Sequence, residues 1–142
     1  MATTVNNTTV NSRITIIFDA DGSLDGNGPA KGTGNTESDV YLDSTVHYNI
    51  RSHTEIDDNV HALQWDATTN TGVLEYTDNR ENESLSSLPQ WATNVVIRVE
   101  AQNAWQTAFN DAMAGDADSQ ANATTTANTA RNNYLSAHSI TY

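Results

Sequence analysis

Val60-His61-Ala62-Leu63-Gln64-Trp65, Asp66-Ala67-Thr68-Thr69-Asn70-Thr71-Gly72 and Val73-Leu74-Glu75-Tyr76 together decide the fold class of this chain. The two outer runs are rich in branched and aromatic residues and bracket a polar segment, so they read as the arms of a β-hairpin. Asn70 and Gly72 are the residues available for positive φ in the turn. Side chains alternate along a strand, which places His61, Leu63 and Trp65 on one face and Ala62 and Gln64 on the other.

Upstream the pattern stays β-like. Ile14-Thr15-Ile16-Ile17-Phe18 is the best single strand, stopped by Asp19-Ala20-Asp21-Gly22. A loop rich in Gly, Asp and Asn runs to about Asp39. Val40-Tyr41-Leu42 and Val46-His47-Tyr48-Asn49-Ile50 read as short strands. The echo of Thr4-Val5-Asn6 in Thr9-Val10-Asn11 suggests an extended arm. Thr77-Asp78-Asn79-Arg80 makes a second turn.

Downstream the period changes. Ser87-Leu88-Pro89-Gln90 fits a capping box, with Ser87 at the N-cap and Gln90 at N3. Ile97, Ala101, Ala104, Trp105, Ala108 and Ala112 then recur at helical spacing, and Gly115 marks a stop. A second helix is expected from about Asp116. Ala123, Ala127, Ala130, Tyr134 and Ala137 form a short heptad seam, to be closed either by the first helix or by another copy of the chain. The expected class is α+β: an antiparallel β-rich half over residues 1–86, with an extended N-terminal arm, then an Ala-rich helix or helical hairpin over 87–142.

Composition narrows the function. The 142 residues carry 18 acidic and 6 basic side chains, a formal net charge of −12. The cations Arg13, Lys31, Arg51, Arg80, Arg98 and Arg131 are scattered, so neither nucleic acid nor an anionic membrane surface is an expected partner. Hydrophobic residues make up 37%, and mean hydropathy is −0.57. With glycine added the apolar share stays below the roughly 45–50% of ordinary domains. That implies a thin core completed by association. No cysteine is present, which removes disulfides and thiolate chemistry. The N-terminal residues do not read as a signal peptide, and no run approaches a membrane span.

Candidate chemistry is sparse. Asp21, Ser23, Asp25 and Gly26 match positions 1, 3, 5 and 6 of a calcium loop, but position 12, where a bidentate Glu belongs, is Gly32. Gly26-Asn27-Gly28-Pro29-Ala30-Lys31-Gly32-Thr33 has the wrong residue order for a phosphate loop. His47, His53, His61 and His138 lack zinc spacing, although His47 and His61 sit on strands that a sheet could bring together. There is no Gly-x-Ser-x-Gly elbow. Asp57 and Asp58, being adjacent, point to opposite faces of an extended segment, which suits a turn better than shared acid–base work. Trp65, Trp91 and Trp105 read as core joining the hairpin to the first helix, or, if exposed, as a carbohydrate platform. No catalytic residue, cofactor or metal is expected.

One resemblance adds to this. Asp57 to Asp66, Thr71 to Asp78 and Leu85-Ser86-Ser87-Leu88-Pro89-Gln90-Trp91-Ala92 resemble a module of small virion and tail-fibre-associated proteins of tailed bacteriophages of marine bacteria and cyanobacteria. It covers about residues 57–114 and is a packing signature without catalytic residues. It implies a virion structural protein (on the tail, fibre or head), not an enzyme. Such a protein works as a homo-oligomer and with other virion proteins. The alternative is a receptor- or glycan-binding module, stabilised by calcium.

Overall fold

A computed structural model describes residues 2–18, 36–51, 56–57, 59–76 and 79–140. The chain divides into two compact units, Met1–Thr93 and Asn94–Tyr142.

In the first unit the echoed Thr-Val-Asn segments pair as a hairpin, β1 (Thr3–Val5) with β2 (Thr8–Val10), instead of forming an extended arm. Asn6 takes a φ of 52° at its tip, a conformation that Asn tolerates. The remaining strands are β3 (Arg13–Phe18), β4 (Thr36–Leu42), β5 (Thr45–Arg51), β6 (Val60–Asp66), β7 (Thr71–Tyr76) and β8 (Glu83–Leu85). They form one six-stranded sheet in the order β5-β4-β3-β6-β7-β8, with every pairing antiparallel.

Register explains the core. One row crosses the sheet through Leu42, Ile14, Trp65, Gly72 and Leu85; the next runs through His47, Val40, Ile16, Leu63, Leu74 and Glu83. Ile14, Ile16, Phe18, Val40 and Leu63 are fully buried, and Trp65 and Leu74 nearly so. Alternation along β3 thus delivers Ile14, Ile16 and Phe18 to the covered face. On the opposite face, beside Ile17, Ala62 and Val73, Thr15 Oγ1 donates to Gln64 Oε1 at 3.3 Å, and Gln64 Nε2 donates to Glu75 Oε2 at 3.2 Å.

The hairpin is present, with two departures from simple alternation. Register shifts between Val60 and Ala62. His61 is the extra residue of this bulge and is exposed, so it does not share a face with Leu63 and Trp65. In the turn, Asn70 alone takes the positive φ, 54°. Gly72 lies in β7, and its role is close approach: a Cβ there would stand 2.8 Å from both the Gln64 carbonyl oxygen and the Trp65 ring.

α1 (Gln90–Met113) starts in the first unit, with the Pro89 carbonyl accepting from the Thr93 N–H, and runs on into the second. That start is about two residues later than a Ser87 N-cap requires, so the expected capping box does not form in that register. Gly115 lies just past its end, as expected. The short α2 (Ala117–Ala121) is capped by Asp116, which accepts from the Ser119 N–H at 2.8 Å. α3 (Ala123–Ala137) completes the helices. Ala123 and Ala127 of the seam are buried, Ala130 and Tyr134 partly so, but Ala137 is exposed and Leu135 takes its place inside. Ile97, Ala101, Leu135 and Ile140 form the core, with Tyr134 against it, so the neighbour of the seam is the first helix. Trp105 Nε1 donates to Asn128 Oδ1 at 2.9 Å between the same two helices.

Candidate interaction surface

Most of the sequence candidates do not converge. The Asp21, Ser23, Asp25 and Gly26 loop, the Gly26–Thr33 stretch, His53, Asp58 and the Thr77-Asp78 half of the second turn lie outside the described residues. His47 is on β5 and His61 on β6, with β4 and β3 between them. Three strand spacings amount to about 14 Å, so the two rings cannot share a metal ion. His138 comes directly after α3; its Nδ1 lies 2.8 Å from the Tyr134 carbonyl, and its ring packs on that of Tyr134 at 4.8 Å. Asp57 accepts from the Asn59 N–H at 2.8 Å and pairs with Arg80 at 3.2 Å, which is turn chemistry. Among the described residues no three His, Asp or Glu side chains gather as metal ligands.

Each tryptophan has a local packing role. Trp65 donates its Nε1–H to Thr3 Oγ1 at 2.9 Å, and Thr3 Oγ1 donates to Asn70 Oδ1 at 3.0 Å, which fastens the β1–β2 hairpin to the β6–β7 turn. Trp91 meets Phe18 with ring centroids 6.0 Å apart. Trp105 stacks on Phe109 at 5.0 Å and remains partly exposed. A shallow depression of about 200 Å³ lies around Arg13, Gln64, Trp65, Asp66 and Val73, smaller than the roughly 300–1,000 Å³ of ordinary ligand pockets.

Three polar nodes have no local sequence signature. Tyr76 donates to Glu83 Oε1 at 2.9 Å, and the Arg80 guanidinium lies 4.3 Å from the centre of the Tyr76 ring. Tyr134 donates to Glu100, a buried carboxylate, at 2.7 Å. The third node is Asp43, just beyond β4 in the left-handed region, φ 56°. Its carboxylate accepts from the backbone N–H groups of Asn11 (3.0 Å), Ser12 (2.6 Å) and Arg13 (3.1 Å). Bonding to Asn11 is the main reason that its pKa lies below the ordinary carboxylate value. Such a group stabilises the fold at pH values above the unfolded pKa of about 3.9. The contribution fades as pH falls through the depressed folded value. Asp43→Asn keeps the backbone conformation accessible but loses the charged acceptor. It should cost about 1 kcal/mol near pH 7, a screened surface value. Urea melts of both proteins should converge as the pH is lowered through the depressed folded pKa of Asp43; an equal gap at every pH would remove the carboxylate from this role.

The two edges of the sheet differ. β8 is three residues long, contains Glu83 and comes after Glu81 and Asn82. Short length and charge are ordinary ways of blunting an edge against pairing. β5 is seven residues long, Thr-Val-His-Tyr-Asn-Ile-Arg, without an acid, lysine or proline. Among the described residues no strand pairs with its outer side. Val46 on it is 54% exposed, the most exposed large apolar side chain described. His47 is half-buried, and desolvation pushes its pKa below the ordinary imidazole value. Strand order is a tertiary property, so the sequence did not mark β5 as an edge.

Compared with known proteins, the chain matches no family model, no curated protein and no solved structure.

Proposed function

We propose that this chain is a structural subunit of a bacteriophage virion, acting by protein–protein assembly in the tail, fibre or head. The observation that carries the reading is the β5 edge, a seven-residue strand on whose outer side no strand pairs among the described residues. The resemblance of residues 57–114 to small virion proteins gives the assembly its setting. The low apolar content fits a chain that completes its burial against neighbours. The partly exposed Trp105–Phe109 stack supports a second reading, a glycan- or receptor-binding module of a phage appendage.

Light scattering behind size exclusion on the intact chain, over a concentration series with and without calcium, tests the first reading. A self-associated species that grows with concentration is the expected result. A strict monomer throughout would count against self-assembly. A calcium-dependent change would direct attention to the Asp21–Asp25 loop and the second reading.

A further inference from the structure

We infer that β5 pairs antiparallel with β5 of a second copy about a two-fold axis, joining the two six-stranded sheets into one. The inference rests on the assembly reading and names its partner and register.

Three observations select this edge and this occupant. Backbone donors and acceptors on an edge strand need a partner strand or water; alternate residues turn theirs outward, so the seven-residue β5 offers about twice as many as the three-residue β8. Charge then discriminates. In a chain of net charge −12, two copies meet with least repulsion where no carboxylate faces its own image. Residues 44–54 contain no acid, whereas pairing through β8 would bring Glu83 and Glu81 near their own counterparts. Finally, the strand is complementary to itself. With the axis at Tyr48, all seven residues find partners: Thr45 opposite Arg51, Val46 opposite Ile50, His47 opposite Asn49, and Tyr48 opposite Tyr48. A two-fold contact uses the same patch on both copies, as this backbone register does. Pairing over one strand buries less than the roughly 1,200 Å² of a standard interface, so the dimer should be weak and concentration-dependent unless other copies reinforce it.

The chain has no cysteine, so single cysteines report the register directly. Under diamide, Tyr48→Cys should form a disulfide-linked dimer at least about ten-fold faster than Ser84→Cys on β8, because the pairing holds the two thiols together. Directly opposed residues fall within the Cα separations that a disulfide spans. Val46→Cys alone should not cross-link, since residue 46 and its symmetry mate lie four positions apart along the strands, about 13 Å. Ile50→Cys alone should likewise stay uncross-linked, whereas an equimolar mixture of the Val46→Cys and Ile50→Cys proteins should cross-link. The mixture keeps the test decisive if Tyr48→Cys folds poorly. Cross-linking no faster than at Ser84→Cys, or equal cross-linking of all variants, would overturn the inference. If light scattering still shows association in that case, assembly stands and proceeds through another surface. If it shows only monomer, both readings fall.

Discussion

Trp65→Ala should lower the stability of the β unit by about 3–5 kcal/mol, the usual cost of truncating a buried aromatic side chain. Trp65 is only 3% exposed and lies in the row between Ile14 and Gly72. Its ring occupies the space that the missing Gly72 side chain leaves free, within 2.8 Å of where a Cβ would stand. Truncation opens a cavity that a β-sheet cannot collapse to fill. It also removes the donor to Thr3, loosening the hairpin that Val5 and Val10 help to bury. For a unit of this size the loss corresponds to a fall in Tm of more than about 12 °C, measurable by thermal melts monitored at a β-sheet circular dichroism band. Gly72→Ala, which drives a Cβ into the same ring and into the Gln64 carbonyl, should cost about 1–3 kcal/mol. An unchanged Tm for Trp65→Ala would take the side chain out of the core and with it the row on which the sheet is built.

How much of this was legible in the sequence depends on how local the cause is. Ile14, Ile16 and Phe18 declare their face through alternation alone, and Asn70 declares a turn because few other residues accept positive φ. The bulge at His61 is invisible because an inserted residue leaves the composition of a strand unchanged while reversing the alternation beyond it. β8 is three residues of mostly polar sequence and exists because β7 offers it an edge. Asp43 reads as a turn residue. Its bonds to Asn11, Ser12 and Arg13 depend on two distant segments meeting, which no local pattern encodes. The same limit applies to the candidate surface: Val46, Tyr48 and Ile50 announce a strand, and only the order of strands in the sheet puts that strand at its margin. The histidines show the reverse case. His47 and His61 are both strand residues, as the sequence implies, and strand order keeps them apart.

Leu135→Ala is expected to destabilise the helical unit by about 2–5 kcal/mol, the range for deleting a buried leucine side chain beyond Cβ. The unit also buries Val95, Val96 and Val99, but the apolar cluster shared by α1 and α3 is small. Ala123, Ala127 and Ala101 are buried but contribute little area, so the pairing of α1 with α3 rests on Ile97, Leu135 and Ile140, with Tyr134 lying over them. An alanine-lined seam lets two helices approach closely, but the hydrophobic stabilisation scales with area, at about 25 cal/mol per Å². One leucine is therefore a large share of that cluster. Ala137→Arg is the matched control. The heptad spacing places Ala137 on the seam, yet it is exposed, and the substitution should change stability by less than about 0.5 kcal/mol. Helical ellipticity at 222 nm during urea titration separates the cases. A loss of midpoint for Leu135→Ala with Ala137→Arg unchanged assigns the contact to the observed register, in which the helix turns Leu135 inward near its end. The opposite ranking would restore the strict heptad seam, and the natural neighbour for that seam would then be another copy of the chain instead of α1.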